Sequence, residues 1–238
     1  MKNIITAENL DKFAYTNENE CPGPYKAVVL EFHGLGFSGM VRETPPLAQA
    51  CTEQGVLYVF PYCGPWCWMN DTAVKIADAV VEAGFEKFKL PQDTPVISTG
   101  GSMGGLSALI YTRYAKRTPA ACAANCPVCD LPFHFTERDD LPRTLYYAFA
   151  HYDCDFDEAL KSASPLHQAD KMPDVPYYIA HGDADQAVNK QRHSDRFVAK
   201  MRKGHTITYD EVPEMGHCDL KDEALKRYRA FIFGFAKK

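Results

Sequence analysis

The sequence predicts an α/β fold with a mostly parallel central sheet and helices on both of its faces. Short apolar runs rich in β-branched residues recur along the chain, and nearly continuous hydrophobicity is expected of strands that are buried on both faces. Amphipathic stretches separate these runs. The alternation of the two kinds of segment is typical of parallel strands connected by helices.

The individual elements follow from these patterns. Strands are predicted at residues 27–32, 56–60, 95–99, 120–125, 175–180 and 205–212. Helices are predicted at about residues 71–84, just after Ser102, at about residues 187–203, and after Asp219. Asn70 or Asp71 is expected to cap the first helix, Gly204 to end the third, and Asp219 to cap the last.

Residues 126–165 interrupt this alternation. They contain several prolines, two short helical patterns and many aromatic side chains. A linker would contain fewer aromatic residues, and an element of the core would be more regular. We therefore predict a single domain over residues 1–238, with a small cap at 126–165 inserted in it over one edge of the sheet. An aromatic edge of the cap is able to bury against a second copy of the chain, so a homodimer is one candidate assembly.

The composition is that of one globular domain and excludes several classes of partner. The chain has 238 residues, of which 46% are hydrophobic and 24% are charged, which is enough for one large core. The net charge is -5 and the basic residues are scattered, so no nucleic-acid surface is expected. No run approaches the roughly 18 apolar residues of a membrane span. The expected partner is a small molecule.

The N-terminus and the cysteines predict a cytoplasmic protein. The first residues, MKNIITAENLDKF, include acidic and amide side chains where the apolar core of a signal peptide would lie. Nine cysteines, an odd number without an export signal, indicate free thiols in a reducing compartment. The pairs Cys63/Cys67 and Cys126/Cys129 have spacings that also occur in zinc sites. Nothing in the sequence brings the two pairs together, and no metal is predicted.

The stretch TGGSMGG at residues 99–105 is the first candidate for chemistry. A phosphate-binding loop would need a lysine followed by serine or threonine after its last glycine, and a dinucleotide fingerprint would need G-x-G-x-x-G; neither is present. The pattern that fits is G-x-S-x-G from Gly100 to Gly104, between a predicted strand and a predicted helix. Such a turn exposes the serine hydroxyl for attack. The alternative is a glycine-rich connection in which Ser102 is incidental.

Two later loops supply partners for this serine. Asp185 lies in HGDADQAV and His217 in EMGHCD, each just past a predicted strand. In a parallel sheet these loops open at the same edge. A serine becomes a nucleophile when an imidazole takes its proton and a carboxylate orients that imidazole. The predicted catalytic residues are therefore Ser102, Asp185 and His217, with Asp183 as an alternative to Asp185.

Two further segments are predicted to complete the site. The turn in EFHGLGFSG, residues 31–39, can direct the N–H of Leu35 at a developing oxyanion, together with the N–H of Met103. The segment PYCGPWCWMN, residues 61–70, is expected to line the substrate pocket with Trp66 and Trp68. The alternative for these tryptophans is that they pack the cap onto the body.

The remaining histidines carry no catalytic pattern. His33 and His181 precede glycines at strand ends, where a structural hydrogen bond is expected. Partial exposure is the expectation for the others, which are His134, His151, His167, His193 and His205.

With these motifs in order, the chain resembles the α/β-hydrolases, and within them the small esterases and the catalytic domains of prolyl oligopeptidase-like enzymes. The resemblance spans about Tyr25 to Phe235. It depends on His33-Gly34-Leu35-Gly36, Gly100 to Gly104, Ser164-Pro165-Leu166, His181 to Val188, and Gly216-His217. It implies a Ser-Asp-His triad without metal or organic cofactor, and the family spacing H-G-x-x-D-x-x-V favours Asp185 over Asp183.

The resemblance implies a serine hydrolase, and we expect a carboxylesterase that cleaves small esters through an acyl-enzyme intermediate. Prolyl oligopeptidase-like peptidases usually carry a large propeller domain before the catalytic domain, whereas about 25 residues precede the first predicted strand here. A peptidase or amidase acting on short peptides is the alternative of the same chemistry. A non-catalytic ligand-binding protein on a hydrolase scaffold is the alternative of another class.

Overall fold

The computed structural model of the protein describes residues 4–236 and contains a seven-stranded sheet. The strands are β1 Ala14–Thr16, β2 Val28–Phe32, β3 Leu57–Pro61, β4 Val96–Gly101, β5 Ala121–Asn125, β6 Tyr177–Gly182 and β7 Ile207–Val212. Their order is β1-β3-β2-β4-β5-β6-β7. β1 is antiparallel to β3, and the other neighbours are parallel. The predicted mostly parallel α/β fold is thus confirmed.

Nine α-helices lie among the described residues. They are α1 Pro46–Gln54, α2 Asp71–Lys87, α3 Met103–Tyr114, α4 Leu131–His134, α5 Leu141–Phe149, α6 Phe156–Ser162, α7 Pro165–Gln168, α8 Arg196–Met201 and α9 Asp222–Phe233. Short 3-10 turns occupy Ala7–Lys12 and Ala169–Lys171, and one π-helical turn occupies Gln191–Asp195. No helix in residues 4–236 combines the length and the apolar character needed to cross a bilayer.

Two helix starts differ from the prediction. The third predicted helix begins at Gln191 instead of residue 187, because the N–H groups of Ala187 and Val188 donate to the carboxylate of Asp185. The last helix begins at Asp222, and Lys221 is its N-cap in place of Asp219. By contrast, Asn70 caps α2 as expected, since its side chain accepts the N–H of Ala73 at 2.9 Å.

Both faces of the sheet are covered, as the continuous apolar runs predict. In β2, Val28 and Leu30 face a core that includes Val80 of α2, whereas Val29 faces a second core that includes Ile232 of α9. Full burial of one such aliphatic side chain stabilises the fold by about 1.5–3 kcal/mol. The helices cover the central strands β3 to β6 on both faces, and the candidate site lies at the carboxyl ends of the parallel strands.

The segment predicted as a cap, residues 126–165, lies between β5 and β6 and contains α4 to α6 and the start of α7. It is called the helical insertion below. Its aromatic side chains pack mainly on one another: the rings of Tyr146 and Phe156 stack at 4.4 Å, and Phe135 meets Phe156 edge to face at 5.5 Å. Hydrogen bonds join it to the body, because Trp68 Nε1 donates to Thr144 and Asn70 donates to the carbonyl of Ala148.

Candidate active site

Ser102 occupies a strained turn between β4 and α3. Its φ is 59° and its ψ is -123°, a region that costs a non-glycine residue about 1–3 kcal/mol. The surroundings hold this conformation: the N–H of Ser102 donates to the carbonyl of Asn125 at 2.9 Å, and its carbonyl accepts the N–H of Leu106 at 3.1 Å. Strain that the structure maintains at one polar side chain indicates a functional position.

Gly104 of the motif has to be a glycine because two backbone segments approach each other closely at this position. A Cβ on Gly104 would lie 2.1 Å from the carbonyl oxygen of Phe32, far inside van der Waals contact. The first turn of α3 therefore packs directly against the end of β2. This contact brings Ser102 next to the loop that follows β2.

Asp185 is a buried carboxylate with every oxygen engaged. Its side chain has no solvent exposure. Oδ1 accepts the N–H groups of Ala187 and Val188 at 2.8 and 3.0 Å, and Oδ2 lies 2.7 Å from His217 Nδ1 and 3.2 Å from His181 Nε2. Burial alone would raise the pKa of Asp185, but these hydrogen bonds outweigh it and hold the pKa well below its usual value. The group is ionised at neutral pH.

His217 presents Nδ1 to Asp185, and its Nε2 lies 3.8 Å from Cys218 Sγ. Its side chain is 29% exposed. Burial alone would lower the pKa of His217, but the hydrogen bonds that it makes with the Asp185 carboxylate and with Cys126 outweigh burial and raise the pKa to about 9. With Nδ1 bonded to Asp185, Nε2 is the nitrogen available to exchange a proton.

The loops that carry the acid and the base are in direct contact. A Cβ on Gly182 would lie 2.0 Å from the carbonyl oxygen of Met215. The N–H of Ala184 donates to that same carbonyl at 3.2 Å, and the side chain of Asp183 accepts the N–H of Glu214 at 2.6 Å. Asp183 is exposed, and its hydrogen bond to Glu214 ties the two loops together.

Ser102 and His217 line one cavity of about 550 Å³ at the carboxyl edge of the sheet. Its other lining residues include Glu31, His33, Leu35, Trp68, His134, Arg138 and Cys218. Asp185 lies behind His217 and is absent from this lining. The structure thus brings the predicted serine and histidine to one space, with the predicted carboxylate behind the ring.

The two predicted oxyanion donors differ in position. Leu35 lines the cavity, while Met103 is the first residue of α3 and has a buried side chain. Its N–H belongs to a helix N-terminus, where unpaired N–H groups carry partial positive charge. Within residues 4–236, no backbone or side-chain group accepts the N–H of Leu35 or of Met103.

The two predicted pocket tryptophans lie apart. Trp68 lines the cavity, and its ring meets that of His134 at 5.4 Å. Trp66 does not belong to the lining; its ring packs edge to face against Tyr147 and lies 5.5 Å from the guanidinium of Arg143. Trp66 thus packs the helical insertion onto the body, which is the alternative that the sequence left open.

Two histidines expected to be partly exposed are buried. His134 is 2% exposed and His193 has no exposure. Both bind Glu137 Oε2, at 2.6 and 2.9 Å, and Oε1 of Glu137 accepts the N–H of Asn189 at 2.9 Å. The carboxylate provides the polar partner that burial of a histidine requires. These contacts tie the helical insertion to the loop of Asp185.

The cysteine pairs do not assemble as a four-thiolate site. Among the described residues, Cys126 groups with His217 and Cys218, and not with Cys129 or the Cys63/Cys67 pair. Hydrogen bonds from Cys218 and His217 lower the pKa of the Cys126 thiol to about 5. All nine cysteines are free thiols.

Sequence reasoning assigned no role in the catalytic site to three polar groups that lie around it. His181, expected to make a structural hydrogen bond, bonds Ser194 at 2.6 Å and also contacts Asp185. Glu31 accepts the hydroxyl of Tyr58 at 2.5 Å, and burial raises the pKa of this carboxyl. Cys126 has a positive φ of 44°. Only His181 carried a signal, since it begins the motif that contains Asp185.

Residues 74–238 match the model of the prolyl oligopeptidase family. No curated protein matches the sequence.

Three solved structures illustrate the likeness of the fold. Puromycin hydrolase is 21% identical with a TM-score of 0.71, over 88% of this chain and 34% of that chain. An acylaminoacyl peptidase from Pyrococcus horikoshii is 16% identical with a TM-score of 0.65, over 89% of this chain and 37% of that chain. Est1E from Butyrivibrio proteoclasticus is 18% identical with a TM-score of 0.61, over 93% of both chains. The chain therefore spans about a third of the length of the puromycin hydrolase and of the acylaminoacyl peptidase.

Proposed function

Because the chain belongs to the prolyl oligopeptidase family of serine hydrolases with an α/β-hydrolase fold, we propose that it cleaves small carboxylic esters through an acyl-enzyme intermediate. Ser102 is the proposed nucleophile, His217 the general base and Asp185 the orienting carboxylate. The observation that carries the proposal is that Ser102 and His217 share one cavity while His217 Nδ1 is held 2.7 Å from the buried Asp185.

In the proposed reaction, His217 Nε2 accepts the proton of the Ser102 hydroxyl as its oxygen attacks the ester carbonyl. The N–H groups of Leu35 and Met103 donate to the oxyanion of the tetrahedral intermediate. The imidazolium then protonates the leaving alcohol, and an acyl-enzyme remains on Ser102. Water, activated by the same imidazole, releases the acid.

The charge of Asp185 determines the protonation of the base. An ionised Oδ2 accepts a hydrogen bond from Nδ1–H of His217, so the proton that the ring loses as the pH rises through its pKa of about 9 is the one on Nε2. The same charge stabilises the imidazolium that forms during attack. Two backbone N–H groups on Oδ1 prevent the carboxylate from rotating away.

The preference for esters over amides is the finer part of the proposal. The cavity of about 550 Å³ is bounded by Trp68 and by His134 and Arg138 of the helical insertion, which suits a small substrate. The second candidate is a peptidase or amidase, favoured by the family and by the fold shared with an acylaminoacyl peptidase. Amide cleavage additionally demands close positioning of the imidazolium at the leaving nitrogen.

The test uses a matched pair of substrates, p-nitrophenyl butyrate and butyryl p-nitroanilide. We expect turnover of the ester and much slower turnover of the anilide; the reverse order would favour the amidase. The Ser102→Ala variant should lose both activities and labelling by a fluorophosphonate while keeping its thermal unfolding temperature. Ser162→Ala, which changes a half-buried serine outside this cavity, serves as the control. Absence of labelling in the unmodified protein would favour a non-catalytic binding protein.

A further inference from the structure

We propose that Cys126, His217 and Cys218 form a binding site for a soft divalent metal ion, in the first place zinc, whose occupancy blocks the catalytic histidine. The existence of the metal site stands on the geometry of these three side chains. Only its inhibitory effect rests on the proposed function.

The three side chains are already gathered at a separation that suits zinc. One ligand atom from each lies within 4.8 Å of the others, and Cys218 Sγ is 3.8 Å from His217 Nε2. Around a tetrahedral zinc ion, with Zn–S of about 2.3 Å and Zn–N of about 2.0–2.1 Å, sulfur and nitrogen ligands are separated by about 3.6 Å. Small side-chain movements therefore bring sulfur and nitrogen into coordination.

The histidine is oriented as a metal ligand. Its Nδ1 is held by the buried carboxylate of Asp185 at 2.7 Å, so Nε2 is the nitrogen that faces the two sulfur atoms. A carboxylate on the opposite ring nitrogen is the usual outer partner of a zinc-bound histidine, since it selects the tautomer and raises the basicity of the ligand. Asp185 would serve the metal and the proposed catalytic base in the same way.

The two cysteines supply charge and access. Cys126 is fully buried, and its Sγ accepts the N–H of Cys218 at 3.4 Å, a hydrogen bond that favours the thiolate. Cys218 is half-buried and lines the cavity, which provides an entry path and room for a water ligand in the fourth position. Two thiolates and a neutral imidazole around Zn²⁺ sum to zero charge, which suits a partly buried position.

A second cluster of comparable size serves as a contrast. His134, Glu137 and His193 also lie within 4.8 Å of one another. His193 Nδ1, however, accepts the N–H groups of Cys129 and Asp130 at 3.0 and 3.1 Å, so its Nε2 carries a proton and donates to Glu137. A protonated nitrogen is no metal ligand. At His217 the proton on Nδ1 is held by Asp185, so loss of the Nε2 proton leaves a neutral imidazole whose Nε2 can bind a metal ion.

Zinc at this position would prevent hydrolysis by a direct route. The lone pair of His217 Nε2, which the proposed mechanism needs in order to accept the Ser102 proton, would be held by the metal. Because only three protein ligands hold the ion, a chelator should remove it and restore activity.

The test begins with direct binding to the chelator-treated full chain under a reducing phosphine. We expect isothermal titration calorimetry to give one Zn²⁺ per chain, and Co²⁺ to give a thiolate-to-metal absorption band in the near ultraviolet. Cys126→Ser and Cys218→Ser should each weaken Zn²⁺ binding, on the order of 100-fold, and remove or shift the cobalt band. Thermal unfolding of the metal-free variants checks that they are folded.

Two control variants separate this site from other thiols. Cys154→Ser, at an exposed free cysteine, and Cys129→Ser should bind Zn²⁺ as the unmodified chain does. Ser102→Ala should also retain binding, because Ser102 is not a ligand. Zn²⁺ binding by an unmodified chain that shows no esterase activity when metal-free would reject the proposed function and leave the metal site intact. Unchanged Zn²⁺ affinity in both Cys126→Ser and Cys218→Ser, or the absence of a thiolate–cobalt band, would overturn the inference.

Discussion

Replacing Asp185 by asparagine removes one charge and leaves the shape of the side chain almost unchanged. The structure determines which oxygen becomes the amide nitrogen. Oδ1 accepts the N–H groups of Ala187 and Val188 at 2.8 and 3.0 Å, so this position must remain an oxygen. The new amide nitrogen therefore faces His217 Nδ1, where Oδ2 lies at 2.7 Å in the unmodified chain.

An amide nitrogen at this position reverses the hydrogen bond to the histidine. It donates to Nδ1 of His217, so the neutral ring carries its proton on Nε2 and can no longer accept the proton of Ser102. The stabilisation of the imidazolium by the carboxylate is lost as well. A tautomer reversal of this kind lowers kcat on the order of 10⁴-fold, which corresponds to about 5.4 kcal/mol in the barrier at about 1.36 kcal/mol per factor of ten.

The measurement is kcat and KM for p-nitrophenyl butyrate, with thermal unfolding to show that the variant is folded. Asp183→Asn is the matched control, because Asp183 lies two residues away and is exposed. Its oxygen accepts the N–H of Glu214, and an asparagine oxygen can accept the same bond, so activity should stay roughly unchanged. A loss below tenfold in Asp185→Asn, or an equal loss in Asp183→Asn, would refute the assignment of the acid.

Two further predictions concern stability. Gly104→Ala should lower the free energy of unfolding by about 3 kcal/mol or more, because its Cβ would lie 2.1 Å from the carbonyl oxygen of Phe32. Gly204→Ala, which has open space around it, should be nearly neutral in urea unfolding. Equal effects of the two substitutions would contradict the packing argument. Burial lowers the pKa of His33 and of His134. As the pH falls below about 6.5, these two histidines are therefore protonated in the unfolded chain before they are protonated in the folded chain. The free energy of unfolding should then fall by up to about 1.4 kcal/mol per pH unit for each histidine. Urea titrations from pH 6.5 to pH 5 would measure this slope, which His134→Gln should reduce, and a slope that is flat or of opposite sign would contradict it.

The sheet was predictable because most of its strands have a recognisable local pattern of apolar residues. β2 and β4 lie within two residues of their predicted positions, since continuous apolar runs are typical of strands covered on both faces. β1 has only three residues and pairs antiparallel at the edge, which is too short for a periodic signal. The start of α9 at Asp222 depends on how the chain turns after Gly216, which tertiary contacts decide.

The candidate site was predictable where a motif follows a strand directly. Asp185 and His217 both do so, and the structure brings them to hydrogen-bond distance. The burial of His134 was not predictable, because its partner Glu137 lies in the turn that follows α4, outside any periodic pattern. The approach of Cys126 and Cys218, 92 residues apart, follows from the adjacency of β5, β6 and β7 rather than from any local spacing.

The contact between Gly182 and Met215 has a mechanical consequence. It joins the loop of Asp185 directly to the loop of His217, while the turn of Ser102 is anchored to the carbonyl of Asn125. The side chain of Asn125 in turn donates to the carbonyl of Cys218 at 3.2 Å, so the serine turn is coupled to the residue that follows the base. A substrate that shifts the turn of Ser102 is therefore expected to act through Asn125 on the gap between serine and imidazole, whereas the contact of Asp185 with His217 is supported within the two joined loops.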